Sequence, residues 1–179
     1  MSLTPLHTAV AYLLNKWQKW LGLPALIVGT MVPDLETPFI WFATGGLSDR
    51  LFLHSLLGAA VIGTIVAILL TVFAYPVAVS YVFRLDKEET KEKCRFSSML
   101  VFCCLVGNLS HVLIDSLHHS FNPLFYPFVN ESFDAFLLNN AFISPTDLVT
   151  CSMLALLTLI IIFEIRRGTK GFWKRVFLG

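Results

Sequence analysis

The sequence has few charged residues, and this scarcity excludes a soluble globular domain. Only 14% of its 179 residues are Asp, Glu, Lys or Arg, whereas 56% are hydrophobic and the mean hydropathy is +0.73. A soluble domain is usually about 25% charged and about 45–50% apolar. The composition therefore predicts an integral membrane protein with a single domain over residues 1–179.

Further absences narrow the possible classes of function. The four cysteines form no CxxC pair and no zinc-knuckle spacing, so no disulfide framework is expected. The formal net charge is only +1 and no basic stripe is present, so nucleic acid is not an expected partner. The N-terminal segment is not a signal peptide, because Lys16 and Lys19 follow its first apolar residues instead of preceding them.

Long apolar runs are present and predict membrane-spanning helices, since about 20 apolar residues cross a hydrocarbon core of about 30 Å. The predicted spans are 51–74, 96–118 and 148–165, with a kink or an interfacial stretch beginning at Tyr75-Pro76. The run 20–33 is also apolar, but its 14 residues make only about 21 Å of helix. We therefore expect this run to be re-entrant or half-inserted.

Residues 5–21 have the pattern of an amphipathic helix at a membrane interface. Thr4 suits the N-cap and Pro5 suits the first helical position. The apolar stripe of this helix would contain His7, Val10, Leu14, Trp17 and Leu21, with Asn15, Lys16, Gln18 and Lys19 elsewhere. The expected fold class is all-α: a polytopic membrane bundle with this helix and three or four membrane-inserted helices.

Lys and Arg residues predict the orientation, because they concentrate on the cytoplasmic side of a membrane. Five lie in the loop 84–95 and five in the tail 166–179, whereas the connection 115–147 has none. The loop 84–95 and the tail are therefore predicted to be cytoplasmic and 119–147 to lie outside, in a multi-pass protein of a prokaryotic cell membrane.

The position of the N-terminus has two alternatives. If 20–33 is re-entrant, His7 lies on the outer side. If 20–33 spans, Lys16 and Lys19 lie inside and His7 is about 30 Å from the outer face. The short length of the run and the Pro33-Asp34 break favour the re-entrant alternative.

Ionisable residues at membrane depth are costly and usually mark a site. The segment NLSHVLIDSLHH places Asn108, His111, Asp115 and one of the two following histidines along one helix face. His54 lies near the start of a helix that begins outside, so it is expected at the same end of the bundle. The candidate metal ligands are His7, Asp34, His54, His111, Asp115, His118 and His119.

Several of these residues also have a purely structural explanation. His7 can be an interfacial histidine, Asp34 can be a helix N-cap, and one residue of the His118-His119 pair can simply be exposed. Asp115 is the hardest to explain in this way, because a carboxylate at that depth needs a counter-charge.

Mixed histidine and carboxylate ligation suits Zn²⁺, Mn²⁺ or Fe²⁺ in hydrolytic chemistry. A catalytic zinc ion takes three protein ligands and leaves a position for water, so this ligand set exceeds the needs of one ion. We expect one to three divalent ions, most simply zinc, with Asp115 or Asp34 as a bridging carboxylate.

The sequence resembles the YdjM-like family of prokaryotic membrane-bound metal-dependent hydrolases, which is similar in turn to zinc-dependent phospholipase C and P1 nuclease. The resemblance rests on the ordered segments TPLHTAVAY, VGTMVPDLE, LHSLLGA and GNLSHVLIDSLHHSFNPL, which extend over about two-thirds of the chain. It implies that the helix with His111 and Asp115 holds the metal cluster and that Asp115 bridges two ions. The chain departs from the family pattern by Asp49-Arg50 in place of His-Arg, and a second downstream His-x-x-x-Glu is not evident.

The leading functional hypothesis is a metal-dependent hydrolase that cleaves a phosphoester of a membrane lipid, phospholipase C-like or phosphatase-like, at the outer leaflet. Glu36 or Asp49 would accept a proton and Arg50 would hold a phosphate oxygen. Residues 121–128 (FNPLFYPF) would form an aromatic lip at the interface. Membrane lipids are the expected environment and substrate, and the sequence does not indicate an oligomeric state.

Two other classes of function fit some of the same residues. A divalent metal or proton transporter would also place His and Asp inside a bundle, although here they cluster at one membrane face. A haem-binding electron carrier would pair His54 with His111, but carboxylates beside a haem iron make it less attractive.

Overall fold

The computed structural model describes residues 4–48, 50–119, 121–134 and 142–179. Over these residues the chain is all-α, with no strand, as the composition predicts. The helices are α1 (Thr8–Trp17), α2 (Leu23–Met31), α3 (Thr37–Ala43), α4 (Leu56–Phe83), α5 (Lys87–Lys93), α6 (Ser98–Asp115), α7 (Pro145–Arg166) and α8 (Phe172–Phe177), with 3-10 turns at Thr4–His7 and Pro33–Leu35.

In the described part of the chain, four helical segments are long and apolar enough to cross a membrane. One of them is Leu23–Ala43, in which the 3-10 turn Pro33–Leu35 joins α2 to α3 without ending the helical path. The run 20–33 therefore belongs to a longer segment, and the re-entrant helix predicted from its 14 residues is wrong about its length. Helices α4, α6 and α7 are the other three segments.

Helix α4 begins later and ends later than the predicted span 51–74. Its start is set by Ser55, whose side-chain oxygen accepts a hydrogen bond from the Gly58 N–H at 2.9 Å. It then continues through Pro76 to Phe83, with π-helical turns at Ala59–Gly63 and Leu70–Ala74. A proline lacks one helical donor, and here the wider turn directly before Tyr75-Pro76 absorbs that loss within the helix.

Helix α1 packs inside the bundle against α2 and does not lie on its surface as predicted. Ala9 and Ala11 are fully buried, because small side chains let two helix backbones approach closely. The predicted apolar stripe is wrong at two positions, since Trp17 is 78% exposed while Asn15 is buried. The Asn15 amide is satisfied there by donating a hydrogen bond to the Leu21 carbonyl at 2.7 Å.

Helices α2 and α6 touch through their backbones at Gly29 and Gly107. A methyl group added to Gly107 would lie 2.7 Å from the Leu26 carbonyl oxygen and 2.9 Å from the Gly29 Cα. This close approach brings the Thr30 carbonyl oxygen within 2.7 Å of the His111 ring. The glycine pair therefore fixes the position of His111 relative to α2.

The bundle has two chemically different ends. We call the end with the loop 84–97 and the residues 167–179 the basic end, and the opposite end, with His54 and His111, the histidine end. The two are separated by buried apolar side chains of the core, among them Leu23, Leu26, Ala67, Cys103 and Cys104.

The Glu164 carboxylate, fully buried on α7, ties the basic end together. It accepts hydrogen bonds from Tyr12 and Arg175, and it lies 3.0 Å from the Arg167 guanidinium and 3.4 Å from the Lys16 ammonium group. Helix α1 thus runs from His7 at the histidine end to Lys16 at the basic end. Neither predicted alternative for the N-terminus describes this arrangement, because each treated α1 as lying outside the bundle.

Candidate metal centre

Five segments of the chain meet at the histidine end. His7 ends the first 3-10 turn, Asp34 lies in the 3-10 turn between α2 and α3, and His54 precedes α4. His111 and Asp115 lie on the last turns of α6, one helical turn apart, so both side chains project from the same face. All of these side chains except that of Asp34 are at most 3% exposed.

Asp34, His54, His111 and Asp115 form a compact group that could hold a metal ion, with one donor atom from each lying within 4.8 Å of the others. His111 Nε2 is 3.4 Å from Asp34 Oδ1 and 3.3 Å from Asp115 Oδ2. His54 Nε2 is 3.5 Å from Asp34 Oδ1 and 3.6 Å from Asp115 Oδ2. In a tetrahedral site with bonds of about 2.0–2.1 Å, neighbouring donor atoms are about 3.3–3.5 Å apart. The spacing of these four side chains therefore matches a tetrahedral cation site.

Hydrogen bonds orient the histidine rings so that Nε2 points into the cluster. The Nδ1 atom of His111 bonds to the Thr30 carbonyl at 2.7 Å, and that of His54 to Glu36 Oε1 at 2.8 Å. His118 uses the Ile114 carbonyl at 3.0 Å in the same way. Because an acceptor fixes the proton on Nδ1, Nε2 keeps its lone pair for a metal.

Within the described residues, the Nε2 atoms of His54, His111 and His118 are buried and make no hydrogen bond, and neither do the two carboxylate oxygens of Asp115. Buried polar atoms are otherwise almost always hydrogen-bonded. Five such atoms facing one another are what a site for a cation would present.

A second group of donors faces the other oxygen of Asp115. His7 Nε2 is 3.5 Å and His118 Nε2 is 3.9 Å from Asp115 Oδ1, and donor atoms of Asp115, His118 and His119 also lie within 4.8 Å of one another. Asp115 therefore stands between two sets of ligands, one facing Oδ2 and one facing Oδ1. Of the two residues after α6, His118 is buried and His119 is partly exposed.

Arg50 lies beside this cluster and is 4% exposed. Its Nη2 atom is 3.2 Å from Asp115 Oδ2 and 2.7 Å from His119 Nε2. Burial, followed by the positive charge of Arg50, lowers the pKa of His119 to about 3. His119 is then neutral at ordinary pH and accepts a hydrogen bond from the guanidinium group through Nε2.

Glu36 was predicted as a proton acceptor, but its carboxylate is already fully engaged. It accepts hydrogen bonds from the backbone N–H groups of Leu51, Leu53 and His54 at 2.8, 2.7 and 3.2 Å, and from the His54 ring at 2.8 Å. These bonds use both oxygens, so the geometry favours a role in holding His54. The other predicted proton acceptor, Asp49, lies outside the described residues.

Sequence reasoning missed the groups that orient the rings. The Thr30 and Ile114 acceptors are backbone carbonyls, which carry no signal in residue types, although the paired glycines at 29 and 107 could have indicated the helix contact that delivers the first of them. The segment 121–128 lies at this end as expected, with the Leu124 carbonyl accepting a hydrogen bond from the Leu56 N–H at 2.9 Å.

The chain matches the family described as YdjM inner membrane protein over residues 4–178. No curated protein and no solved structure matches it. The match includes all the segments that meet at the histidine end and all four helical segments that are long enough to cross a membrane. The chain is therefore a membrane protein, and it belongs to the YdjM inner membrane protein family.

Proposed function

We propose that this protein is a multi-pass, metal-dependent hydrolase that cleaves a phosphoester of a membrane lipid at the extracytoplasmic face. The observation that carries this proposal is the position of Asp115, whose two oxygens face two separate sets of histidine nitrogens. A carboxylate placed in this way suits a pair of divalent ions. Such ions, when bound, stabilise the charges on the attacking and leaving oxygens of a phosphoryl transfer and activate water.

The protein's own residues would hold this arrangement rigidly. The Glu36 carboxylate keeps the His54 ring in place, and the Thr30 carbonyl does the same for His111. Partners of this kind fix the ring orientation and raise the basicity of the ligand. The cluster would therefore be ordered before the substrate arrives.

Arg50 would bind the phosphoryl group. Its guanidinium donors lie against Asp115 Oδ2, directly beside the cluster, and a guanidinium group matches the geometry of phosphate oxygens. Binding a phosphoryl oxygen would exchange its bond to His119 for one to the substrate.

Three features support a lipid substrate at the outer face. Large apolar side chains at this end are exposed, among them Phe39, Phe42, Leu47 and Phe128. The Lys- and Arg-rich segments lie at the opposite end, which the positive-inside rule places in the cytoplasm. The similarity to zinc-dependent phospholipase C and P1 nuclease points to the same reaction class.

The apolar core also bears on the transporter alternative. A transport pathway needs polar groups from one face to the other. Here Leu23, Leu26 and Ala67 are buried between the two ends, which favours a site that opens to one side only.

The test is hydrolysis of a lipid panel by purified protein reconstituted with zinc or manganese. The panel contains phospholipids and a polyprenyl phosphate, and the readout is release of a head group or of phosphate. We expect activity that chelator abolishes and that Asp34→Asn lowers by about tenfold or more, since the amide removes a charge that holds the metal. Asp34 is suited to this test because its side chain is the most exposed of the cluster, at 11%.

The matched control is Asp147→Asn, an identical chemical change at an exposed position in the first turn of α7. This variant should retain wild-type activity. The hydrolase proposal fails if metal-loaded protein cleaves no lipid in the panel, or if Asp34→Asn cleaves as fast as Asp147→Asn.

A further inference from the structure

The basic end contains a cavity of about 530 Å³ between α1, α5 and the C-terminal residues. This volume is within the range of about 300–1,000 Å³ that is usual for small-molecule sites. Its charged lining side chains are Lys16, Lys19, Lys93, Arg167, Arg175 and Glu92.

The positive charge around this cavity is not neutralised by the protein. Five cationic side chains line it, against one lining carboxylate, Glu92, and the buried carboxylate of Glu164 behind it. Five positive and two negative charges leave a net side-chain charge of +3. The cationic groups also act on one another, since burial and then the neighbouring Lys19 lower the pKa of Lys16. An anion in the cavity would relieve this repulsion.

The cationic groups are held in position and do not trail freely into solvent. Arg175 donates to Glu164 and to the carbonyls of Lys170 and Gly168 at 2.8 and 2.5 Å. The side chains of Lys16 and Arg175 are each only 21% exposed. Ordinary cytoplasmic lysines and arginines reach outward from a helix end, whereas these converge on a concavity.

The cavity also adjoins the predicted membrane interface. Trp20 lines it, with 55% of its surface exposed and its ring stacked on Phe102 at 6.0 Å. Tryptophan is enriched at the head-group level of a bilayer. Basic pockets between helices on the cytoplasmic side are a recognised form of site for anionic head groups.

We propose that this cavity binds a phosphate-bearing anion, either the head group of an acidic phospholipid or free phosphate, at the opposite end of the bundle from the metal centre. The site is separate from the proposed hydrolase site, because the buried apolar core lies between the two.

The test is native mass spectrometry of detergent-purified protein titrated with phosphatidylglycerol and, in parallel, with phosphatidylcholine. Chelator is present throughout, so that phosphate held by metal at the histidine end does not contribute. We expect selective binding of phosphatidylglycerol, weakened about thirtyfold in the Lys19→Gln/Lys93→Gln double variant, the loss expected for two cations at a membrane surface. Both residues are exposed and neither is bonded to Glu164, so the variant should fold.

The matched control is Lys87→Gln/Lys91→Gln, which removes the same charge from α5 and changes no residue of the cavity lining. A second arm adds millimolar inorganic phosphate. Retained binding of phosphatidylglycerol identifies a lipid head group as the ligand, whereas loss of lipid together with a rise in melting temperature identifies free phosphate. The proposal is overturned if phosphatidylglycerol and phosphatidylcholine bind equally and phosphate has no effect, or if the two double variants behave alike.

Discussion

At the scale of single residues, Asp115 is the centre of the candidate site. Its carboxylate lies 3.3 Å from His111 Nε2 on one side and 3.5 Å from His7 Nε2 on the other. Removing either Asp115 or His111 would take away one donor and leave the remaining ones too far apart to grip an ion.

We therefore expect His111→Ala and Asp115→Ala to lose the divalent metal that the wild-type protein retains on purification, at one equivalent or more. The measurement is elemental analysis of detergent-purified protein, with helical content checked by circular dichroism. Ser110→Ala is the matched control, because that hydroxyl bonds only to its own helix through the Gly107 carbonyl. Unchanged metal content in both folded ligand variants would contradict this assignment of α6.

Glu36 allows the two possible roles of a carboxylate to be separated. If it holds the His54 ring, Glu36→Gln should weaken metal affinity by about 10–100-fold, which is typical for loss of a group that orients a ligand. If it accepts a proton instead, metal affinity should stay and only turnover should fall. Competition with a chromogenic chelator measures the first quantity, and unchanged affinity in Glu36→Gln would refute the holding role.

The residue types predicted which side chains meet better than they predicted what each does. His111 and Asp115 are four residues apart on a helix, so the helical period alone placed them together. The bonds of Glu36 could not be predicted, because three of its four donors are backbone N–H groups of residues 51–54. A backbone group takes its position from the fold and carries no mark in the sequence.

At the scale of helices, the contact between α2 and α6 is the one with least room. Gly107→Ala should lower the free energy of unfolding by about 1–3 kcal/mol, because the added methyl group must push two backbones apart. It should also reduce metal retention, since the same contact delivers the Thr30 carbonyl to His111.

Thermal unfolding in detergent measures this effect, with Gly22→Ala as the control. A methyl group at Gly22 would meet nothing within 4 Å, and its backbone has an ordinary negative φ of −72°. Equal melting temperatures for the two alanine variants would show that the glycine contact is looser than described.

The helices with long uninterrupted apolar runs were predicted closely, and the shorter ones were not. The span predicted at 96–118 is observed as α6, whose N-cap Ser97 accepts a hydrogen bond from the Leu100 N–H. Helix α1 was misplaced because an amphipathic pattern looks the same whether its apolar face meets lipid or another helix. The segment Leu23–Ala43 was cut short because Pro33 resembles a helix end, whereas here it starts a 3-10 turn that continues the path.

At the scale of the whole molecule, the two ends predict a definite orientation in the membrane. Residues 84–95 and 166–179 should face the cytoplasm and 119–147 should lie outside, as the positive-inside rule requires. Lys19 belongs to the basic end and should therefore also be cytoplasmic.

The measurement is labelling of single cysteines in intact cells with a membrane-impermeant maleimide. Cys151 is exposed and is first replaced by serine. The other three cysteines are buried, and burial raises the pKa of the Cys94 thiol to about 12, so the background should be silent. Asn130→Cys should label from outside, whereas Glu88→Cys and Lys19→Cys should label only after permeabilisation. Labelling of Glu88→Cys in intact cells would reverse the topology.

The spread of the candidate ligands along the chain also fixes when the site can exist. The two groups of donors draw on residues from His7 to His119, and no described residue of α7 belongs to either group. Chains are made from the N-terminus and their early parts fold first. The donors are therefore scattered during translation of the first half and come together only after α6 has entered the bilayer. An ion held by this cluster would then be acquired after insertion, from the compartment that Asp115 faces, and not from the cytoplasm in which the chain is synthesised.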